Sequence, residues 1–193
     1  MPENKAGDLR IQRTHTLLLV ALTDLLHEKT FDEIRVKDIC EKANIHRSTF
    51  YAHFEDKRHL LTFGFQELID VLTSNMPSSA YPIPFQQAVY QFFDYFLRRE
   101  KEYSKLFLDP RNAIVKQIFQ DELTRILIDR TKSHPFYNSH HRDEITILCQ
   151  FFAGGLVAVA AWWLQSGTKL SVEEVSSYFS TIYLSHVQTT SLC

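Results

Sequence analysis

Residues 36–54 read VKDICEKANIHRSTFYAHF, and the prediction of the fold depends most on these residues. Its first half carries apolar side chains at i, i+3, i+4 and i+7, the spacing of one helical face: Val36, Ile39, Cys40 and Ala43. Its second half places Phe50 and Phe54 at i and i+4. Between the halves, Asn44 tolerates the left-handed backbone that a tight turn needs. The stretch therefore predicts two short helices joined by a tight turn, the proportions of a helix-turn-helix.

Apolar residues recur at steps of three and four along the whole chain, and only five glycines occur among 193 residues. This periodicity predicts an all-α fold. Besides the two short helices, we predict helices over about 8–28, from near 55 to before Met76, and over about 85–101, 103–108, 112–132, 142–165 and 172–189. Ser171 followed three residues later by Glu174 predicts a capping box for the last of them.

Three prolines between Pro77 and Pro84 give the clearest boundary in the sequence. We predict a three-helix helix-turn-helix domain in residues 1–54, extended by the start of a fourth helix over 55–76. Residues 77–193 then form a second helical domain.

The charge balance is nearly neutral. The formal net charge is −2, and residues 1–60 hold ten Lys and Arg against ten Asp and Glu. This excludes a protein that coats nucleic acid or membrane by bulk attraction, so any contact with an anion depends on local arrangement. The polar first residues do not look like a signal peptide, which predicts a cytoplasmic location. The three separated cysteines are expected to be inert thiols, typical of a reducing compartment.

The second short helix presents a polar surface. With Phe50 and Phe54 turned to the core, Arg47, Ser48 and Tyr51 face outward. A guanidinium can fork onto a guanine edge, a Ser48 or Thr49 hydroxyl can bond a base or a phosphate, and a phenol can donate to phosphate. The surface therefore predicts contact with double-stranded DNA.

Two lysines extend this surface. Lys57 lies at the start of the next helix, where its charge adds to free main-chain amides in holding phosphate. Lys37, at the front of the preceding helix, points to the same side. His53, between the two phenylalanines, is interpreted as a core histidine.

At these residues the chain resembles the TetR/AcrR family of transcriptional regulators, over roughly residues 9 to 70. The resemblance lies in Val36-Lys37-Asp38-Ile39, Ala43-Asn44-Ile45, Ser48-Thr49-Phe50-Tyr51, Phe54 and Lys57-Arg58-His59-Leu60. It implies that Tyr51 and Lys57 are phosphate anchors and that Lys37, Arg47, Ser48 and Thr49 contact base edges or backbone. The chain departs from the family at Thr30 and Asn44, where glycine is usual, and at Arg35 and His46, where a hydroxyl is usual. His46 is itself a candidate phosphate contact.

The second domain contains 24 uncharged residues, 145–168, enough to span a bilayer. We favour a buried helix, because Gln150 interrupts the run and the last helix would otherwise have no packing partner. Small residues would let another helix approach closely, and a second apolar stripe follows on the last helix. The predicted dimerisation residues are Gly154, Ala158 and Ala161 on the first helix and Val172, Val175, Phe179 and Ile182 on the second.

The resemblance implies that these two helices of each subunit form an intermolecular four-helix bundle. A homodimer would then address half-sites roughly 34 to 36 Å apart, or a multiple of it. The resemblance also implies a ligand cavity, for which the residues are unknown. An aromatic set could line such a cavity, although aromatic residues at helical spacing more often form plain core: Phe92, Phe93, Tyr95, Phe96, Phe119 and Trp163.

The expected function is a DNA-binding regulator, a repressor released from a palindromic operator by a small-molecule effector. The alternative is a co-activator or ligand-sensing protein of the same fold that does not bind DNA. An enzyme is not expected, because catalytic motifs are missing, and neither a cofactor nor a metal is expected. The best metal candidate, which we interpret as a polar loop, is the group His134, His140, His141 and Asp143.

Overall fold

In the computed structural model, the residues described are 5–73, 83–99, 106, 109–132, 142–167 and 169–190. All regular structure in these ranges is helical, which confirms the all-α class. The helices are α1 (Lys5–Glu28), α2 (Val36–Ala43), α3 (Arg47–His53), α4 (Lys57–Thr73), α5 (Ile83–Arg98), α6 (Ala113–Thr131), α7 (Arg142–Ser166) and α8 (Val172–Thr190). A 3₁₀ turn, Pro110–Asn112, precedes α6.

The predicted helices agree with these bounds to within about three residues at either end. The short helix predicted over 103–108 lies mostly outside the described residues, and so do the prolines of the predicted boundary. The chain divides into two compact units, Met1–Gln66 and Glu67–Cys193, so the division falls inside α4. The domain boundary after residue 76 stays a prediction.

Unit 1 is built on a tightly packed apolar core. Its innermost side chains are Leu18, Leu22, Ile34, Ile39, Phe50 and Leu60. Ion pairs join α2 to the end of α1, with 2.6 Å between Lys29 Nζ and Asp38 Oδ2 and 2.7 Å between Lys42 Nζ and Glu28 Oε1. These contacts fix α2 relative to α1.

His53 is half-buried at the end of α3. Its ring meets the ring of His15 edge-on, with 4.9 Å between the centroids, and the ring of Phe54 at 6.4 Å. This packing supports the interpretation of His53 as a core histidine.

Unit 2 pairs α6 with α7 and α5 with α8. Its core is aromatic: the Phe93 and Trp163 rings meet edge-on at 5.6 Å, and Trp163 Nε1 donates to the Leu170 carbonyl at 3.0 Å. The predicted capping box of α8 is confirmed. Ser171 N–H donates to Glu174 Oε2 at 2.8 Å, and Glu174 N–H donates to Ser171 Oγ at 3.2 Å.

The structure places Val172, Val175 and Phe179, three of the predicted dimerisation residues, in the core of a single chain. They are 6%, 3% and 8% exposed within a single chain. The Phe179 ring lies 6.2 Å from that of Phe152, between α8 and α7 of the same subunit. The chain itself therefore covers this stripe.

The small residues Gly154, Ala158 and Ala161 of α7 do not all face the same surroundings. A Cβ on Gly154 would lie 3.2 Å from Gln120 Nε2, so this glycine faces α6. Ala161 lines a small internal void between α5, α6 and α7. Of the predicted dimerisation residues, Ala158 and Ile182 are exposed.

By length and composition α7 could cross a membrane. One side of the helix is, however, buried in the core of unit 2. The side chains on that side include Ile145, Cys149, Phe152, Leu156 and Trp163. Such a pattern is typical of the core helix of a soluble protein.

Candidate nucleic-acid interface

The turn between α2 and α3 has the conformation that the sequence predicts. Asn44 has φ 54° and ψ 45°, in the left-handed region. Its N–H donates to the Glu41 carbonyl at 3.2 Å, and the Ile45 N–H donates to the Cys40 carbonyl at 2.9 Å. Asparagine meets the backbone requirement that glycine meets elsewhere in the family, because its short polar side chain tolerates this conformation.

The start of α2 is held without a hydroxyl cap. The Arg35 N–H donates to Asp38 Oδ2 at 3.0 Å, and the same oxygen lies 2.6 Å from Lys29 Nζ. The Lys29 ammonium, and then the Arg35 amide, lower the pKa of Asp38. At Thr30, another position where the chain departs from the family pattern, the N–H and hydroxyl donate to Glu33 Oε2 at 2.9 and 2.8 Å. Carboxylates therefore fix the segment that leads into α2.

Two phenylalanines anchor α3 from one side. Phe50 is 0% exposed and Phe54 is 2% exposed, and their ring centroids are 5.8 Å apart. The helix begins where the His46 carbonyl accepts from the N–H groups of Thr49 and Phe50 at 3.0 and 3.1 Å. Because the side of α3 that carries these two phenylalanines is buried in the core of unit 1, the opposite side of the helix faces outward.

The opposite side of α3 is exposed and polar. Arg47 and Ser48 are exposed, as is Tyr51, at 58%. His46 is exposed at the start of the helix, and Thr49 is half-buried beside this surface. The Tyr51 ring meets the Phe50 ring edge-on, with 5.4 Å between the centroids. We call Arg47, Ser48 and Tyr51 the outer face of α3.

Lys37 lies on the surface of α2. Its side chain is 57% exposed, and its Nζ lies 3.5 Å from Glu41 Oε1. An exposed pair of this kind contributes little free energy, so a phosphate can replace the carboxylate at small cost.

Lys57 is placed differently from the prediction. Its Nζ donates to the carbonyls of Phe31, Asp32 and Ile34 at 2.6, 3.2 and 2.8 Å. The ammonium also lies 4.6 Å from the centroid of the Phe31 ring. Burial lowers the pKa of Lys57, against the influence of nearby Asp32 and Asp56. The ammonium therefore points into the chain, because three carbonyls converge there, and the structure does not bring it to the outer face of α3.

Two features of this region do not follow from the sequence pattern. The carbonyls that surround Lys57 belong to a loop 23 to 26 residues earlier, and local periodicity carries no signal for such a contact. The exposed Arg35 is not among the predicted DNA contacts. A basic side chain at the start of α2, two residues before Lys37, is a signal that could have marked it as a DNA contact.

The metal candidate falls largely outside the described residues, which exclude His134, His140 and His141. Asp143 is exposed in the first turn of α7. Within the ranges that the structure describes, no group of three or more His, Cys, Asp or Glu side chains could hold a metal ion.

Two family profiles match the chain. Residues 18–62 match one described as bacterial regulatory proteins, tetR family, and residues 85–184 match one described as a transcriptional regulator C-terminal region of the TetR type. Together they cover both units.

Curated relatives and solved structures agree with these matches. The HTH-type dhaKLM operon transcriptional activator DhaS of Lactococcus lactis subsp. lactis (strain IL1403) is 24% identical over 179 residues, 91% of each chain. A TetR transcriptional regulator from Streptococcus agalactiae 2603V is 26% identical, with a TM-score of 0.59 over 92% of this chain and 97% of that one. Lin0861 from Listeria innocua shares the fold, with a TM-score of 0.67 at 20% identity over 95% of this chain and 94% of that one.

The relatives are transcriptional regulators by name, and the enzyme class is excluded accordingly. The outer face of α3 lies within the first profile, at the helix that such a motif presents to the major groove. The chain therefore belongs to the tetR family of bacterial transcriptional regulators and is a DNA-binding regulator.

Proposed function

We propose that the chain acts in the cytoplasm as a homodimer that binds a palindromic operator through α3 of each subunit. The observation that carries this proposal is the division of α3 into two sides. Phe50 is completely buried, while Arg47, Ser48 and Tyr51 are exposed on the opposite side of the helix. A polar surface on a helix that is anchored by a buried apolar side chain suits the reading of base edges, because the helix backbone loses little conformational freedom on binding.

Individual roles follow from the chemistry of the side chains. Arg47 forks onto a base edge, most favourably guanine, while Ser48 and Thr49 bond a base or the backbone. Tyr51, His46 and Lys37 contact phosphates. The test is selection of binding sites from random duplexes, followed by affinity measurements. Arg47→Ala is expected to cost about 1 to 3 kcal/mol on the selected site and to relax base preference at one position.

Lys37→Ala provides the matched control for a backbone contact. It is expected to weaken selected and random duplexes alike and to reduce the salt dependence of binding. Equal losses on selected and random DNA for the Arg47 variant would contradict its role as a base contact.

The dimer surface is proposed on the exposed apolar side chains of unit 2. On α7, Ile147, Phe151 and Trp162 are 67%, 63% and 52% exposed, and Ala158 lies exposed between them. At 100° per residue these positions fall within about 60° of one another, so they form a single stripe. On α8, Tyr178 and Ile182 follow at i and i+4 and are 63% and 58% exposed.

Continuous apolar stripes of this kind on two helices mark an association surface. The small Ala158 between the bulky side chains lets two copies of α7 approach closely at that point, and two helices from each subunit would make the predicted four-helix bundle. Phe151→Glu is expected to shift the sedimentation coefficient from dimer to monomer at micromolar concentration. Lys169→Glu, an exposed charge change in the same unit, is the control and should leave the dimer intact.

We propose repression as the outcome of DNA binding, with release by a small apolar effector. In the void lined by Phe92, Phe96, Phe119 and residues of α7, only about 10 Å³ is open, so an effector must part α5 from α7 to enter. Deletion of the gene should raise transcription of the operon beside its operator. The activator name of the Lactococcus relative favours a second candidate, activation, for which the same deletion lowers transcription.

The remaining alternative is a regulator that has lost direct DNA contact. The neutral balance of residues 1–60 favours it, and the exposed polar face of α3 argues against it. A gel shift on the chain's own promoter region distinguishes the two: a salt-sensitive shift supports the DNA-binding proposal, and an absent or salt-insensitive shift contradicts it.

A further inference from the structure

The Lys57 ammonium occupies a cage of main-chain oxygens. Residues 31–34, which we call the entry loop, supply three carbonyls at 2.6, 3.2 and 2.8 Å from Nζ. An ammonium has three donors, so these contacts use all of them. The Phe31 ring, with its centroid 4.6 Å from Nζ, covers a further side of the charge.

The carbonyl cage of Lys57 connects the segments that precede α2 and follow α3. The entry loop comes directly before α2, and Lys57 is the first residue of α4, directly after α3 and its short connection. The contact therefore joins the two ends of the helix-turn-helix pair. A link between chain segments 23 to 26 residues apart restricts the freedom of everything between them.

A phosphate has little to gain at this place. To bind one, the ammonium would have to give up at least one of its three carbonyl partners. The N-terminus of α4 is already capped, because the Asp56 carboxylate accepts from the His59 N–H at 2.7 Å. A phosphate approaching that end would meet a carboxylate of like charge, which is unfavourable.

We propose that Lys57 is a positioning residue: its ammonium fastens the entry loop to the start of α4 and so holds α3 in the orientation that DNA recognition requires. It acts on DNA through Arg47 and its neighbours, without touching phosphate. The DNA part of this inference rests on the proposed function, while the structural part does not.

The test compares Lys57→Met and Lys57→Arg with Lys37→Met in the full chain. Three quantities are measured: the denaturation midpoint, the affinity ratio between the selected duplex and a random one, and the slope of log affinity against log salt. Lys57→Met is expected to lower the midpoint and reduce the affinity ratio roughly tenfold, the reduction expected from one displaced base contact, with the slope unchanged. Lys57→Arg should not restore either quantity, because a planar guanidinium cannot direct three donors at one small cage.

Lys37→Met should behave in the opposite way, with the midpoint unchanged and the slope reduced by about 0.9 for each phosphate that the variant no longer neutralises. The inference is overturned if Lys57→Met keeps its midpoint and reduces the slope, or if Lys57→Arg has the affinity and slope of the wild type. If Lys57→Met fails to fold while Lys37→Met folds, the result supports the contact between Lys57 and the entry loop as a structural link. The affinity ratio of Lys57→Arg is then compared with that of the wild type. If the wild type binds no duplex, the proposed function fails, and the midpoints still test the fastening.

Discussion

Replacement of Phe50 by alanine is expected to destabilise unit 1 strongly. The side chain is 0% exposed, and its ring lies 5.8 Å from that of Phe54 and 5.4 Å from that of Tyr51. Truncation of a fully buried phenylalanine costs about 3 to 5 kcal/mol. A unit of this size has a free energy of unfolding of roughly 3 to 10 kcal/mol, so the variant loses between a third of its stability and all of it.

Hydrogen–deuterium exchange of the full chain measures this effect segment by segment. If the unit exchanges by unfolding, the destabilisation corresponds to a rise in exchange of roughly two to three and a half orders of magnitude for the protected amides of α1 and α3. Amides of α7 provide an internal reference from unit 2. Affinity for the selected duplex should fall with the fraction of folded unit 1.

Tyr51→Ala is the matched control, one residue along the same helix and on its exposed side. It is expected to leave amide exchange within a few-fold of the wild type and to reduce affinity for DNA, because a surface substitution changes stability by about 0.5 kcal/mol or less. If Phe50→Ala leaves exchange in α3 unchanged, or if Tyr51→Ala unfolds the helix, the division of α3 into an anchoring and a binding side is wrong.

Three further predictions concern pH, capping and thiol reactivity. Because its lysine partner lowers the pKa of Asp38 in the folded state, this carboxylate stabilises the chain above about pH 4 and stops doing so as the pH falls through the lowered value. Asp38→Asn should therefore flatten the dependence of the urea midpoint on pH below about pH 4, and an unchanged profile would contradict the role of the ion pair. Ser171→Ala should cost about 1 kcal/mol of stability by removing the cap of α8, whereas Ser177→Ala, exposed within the same helix, should change the thermal midpoint little. Cys40 and Cys149 are buried, and burial raises the pKa of the Cys40 thiol, so the native chain should show at most one fast-reacting thiol toward a disulfide reagent and three after denaturation; two or more fast thiols in the native state would show that these sites open.

Much of the fold was predictable because local rules agree with one another. A period of 3.6 residues locates the helices, Asn44 locates the turn, and Ser171 with Glu174 locates the start of α8. These features depend on neighbours in sequence, and the structure confirms each of them. The inner and outer sides of α3 follow for the same reason, since the spacing of two phenylalanines determines which side is buried.

Contacts between distant segments could not be predicted in this way. An apolar stripe must be covered, but its spacing does not tell whether the same chain or a second one covers it. Val172, Val175 and Phe179 are therefore core, while Tyr178 on the same helix is exposed. Lys57 illustrates the same limit, because its partners are carbonyls of a distant loop, and any residue type can supply a carbonyl.

Photo-crosslinking from two tyrosine positions distinguishes the surface that contacts DNA from the surface that contacts a second subunit. A p-benzoylphenylalanine at position 51 replaces Tyr51 on the outer face of α3, and one at position 178 replaces Tyr178 on the apolar stripe of α8. Irradiation with the selected duplex present should join the chain to DNA from position 51 and to a second copy of the chain from position 178. Crosslinks to DNA from position 178, or their absence from position 51 in a variant that still binds the duplex, would contradict the assignment of α3 as the helix that contacts DNA.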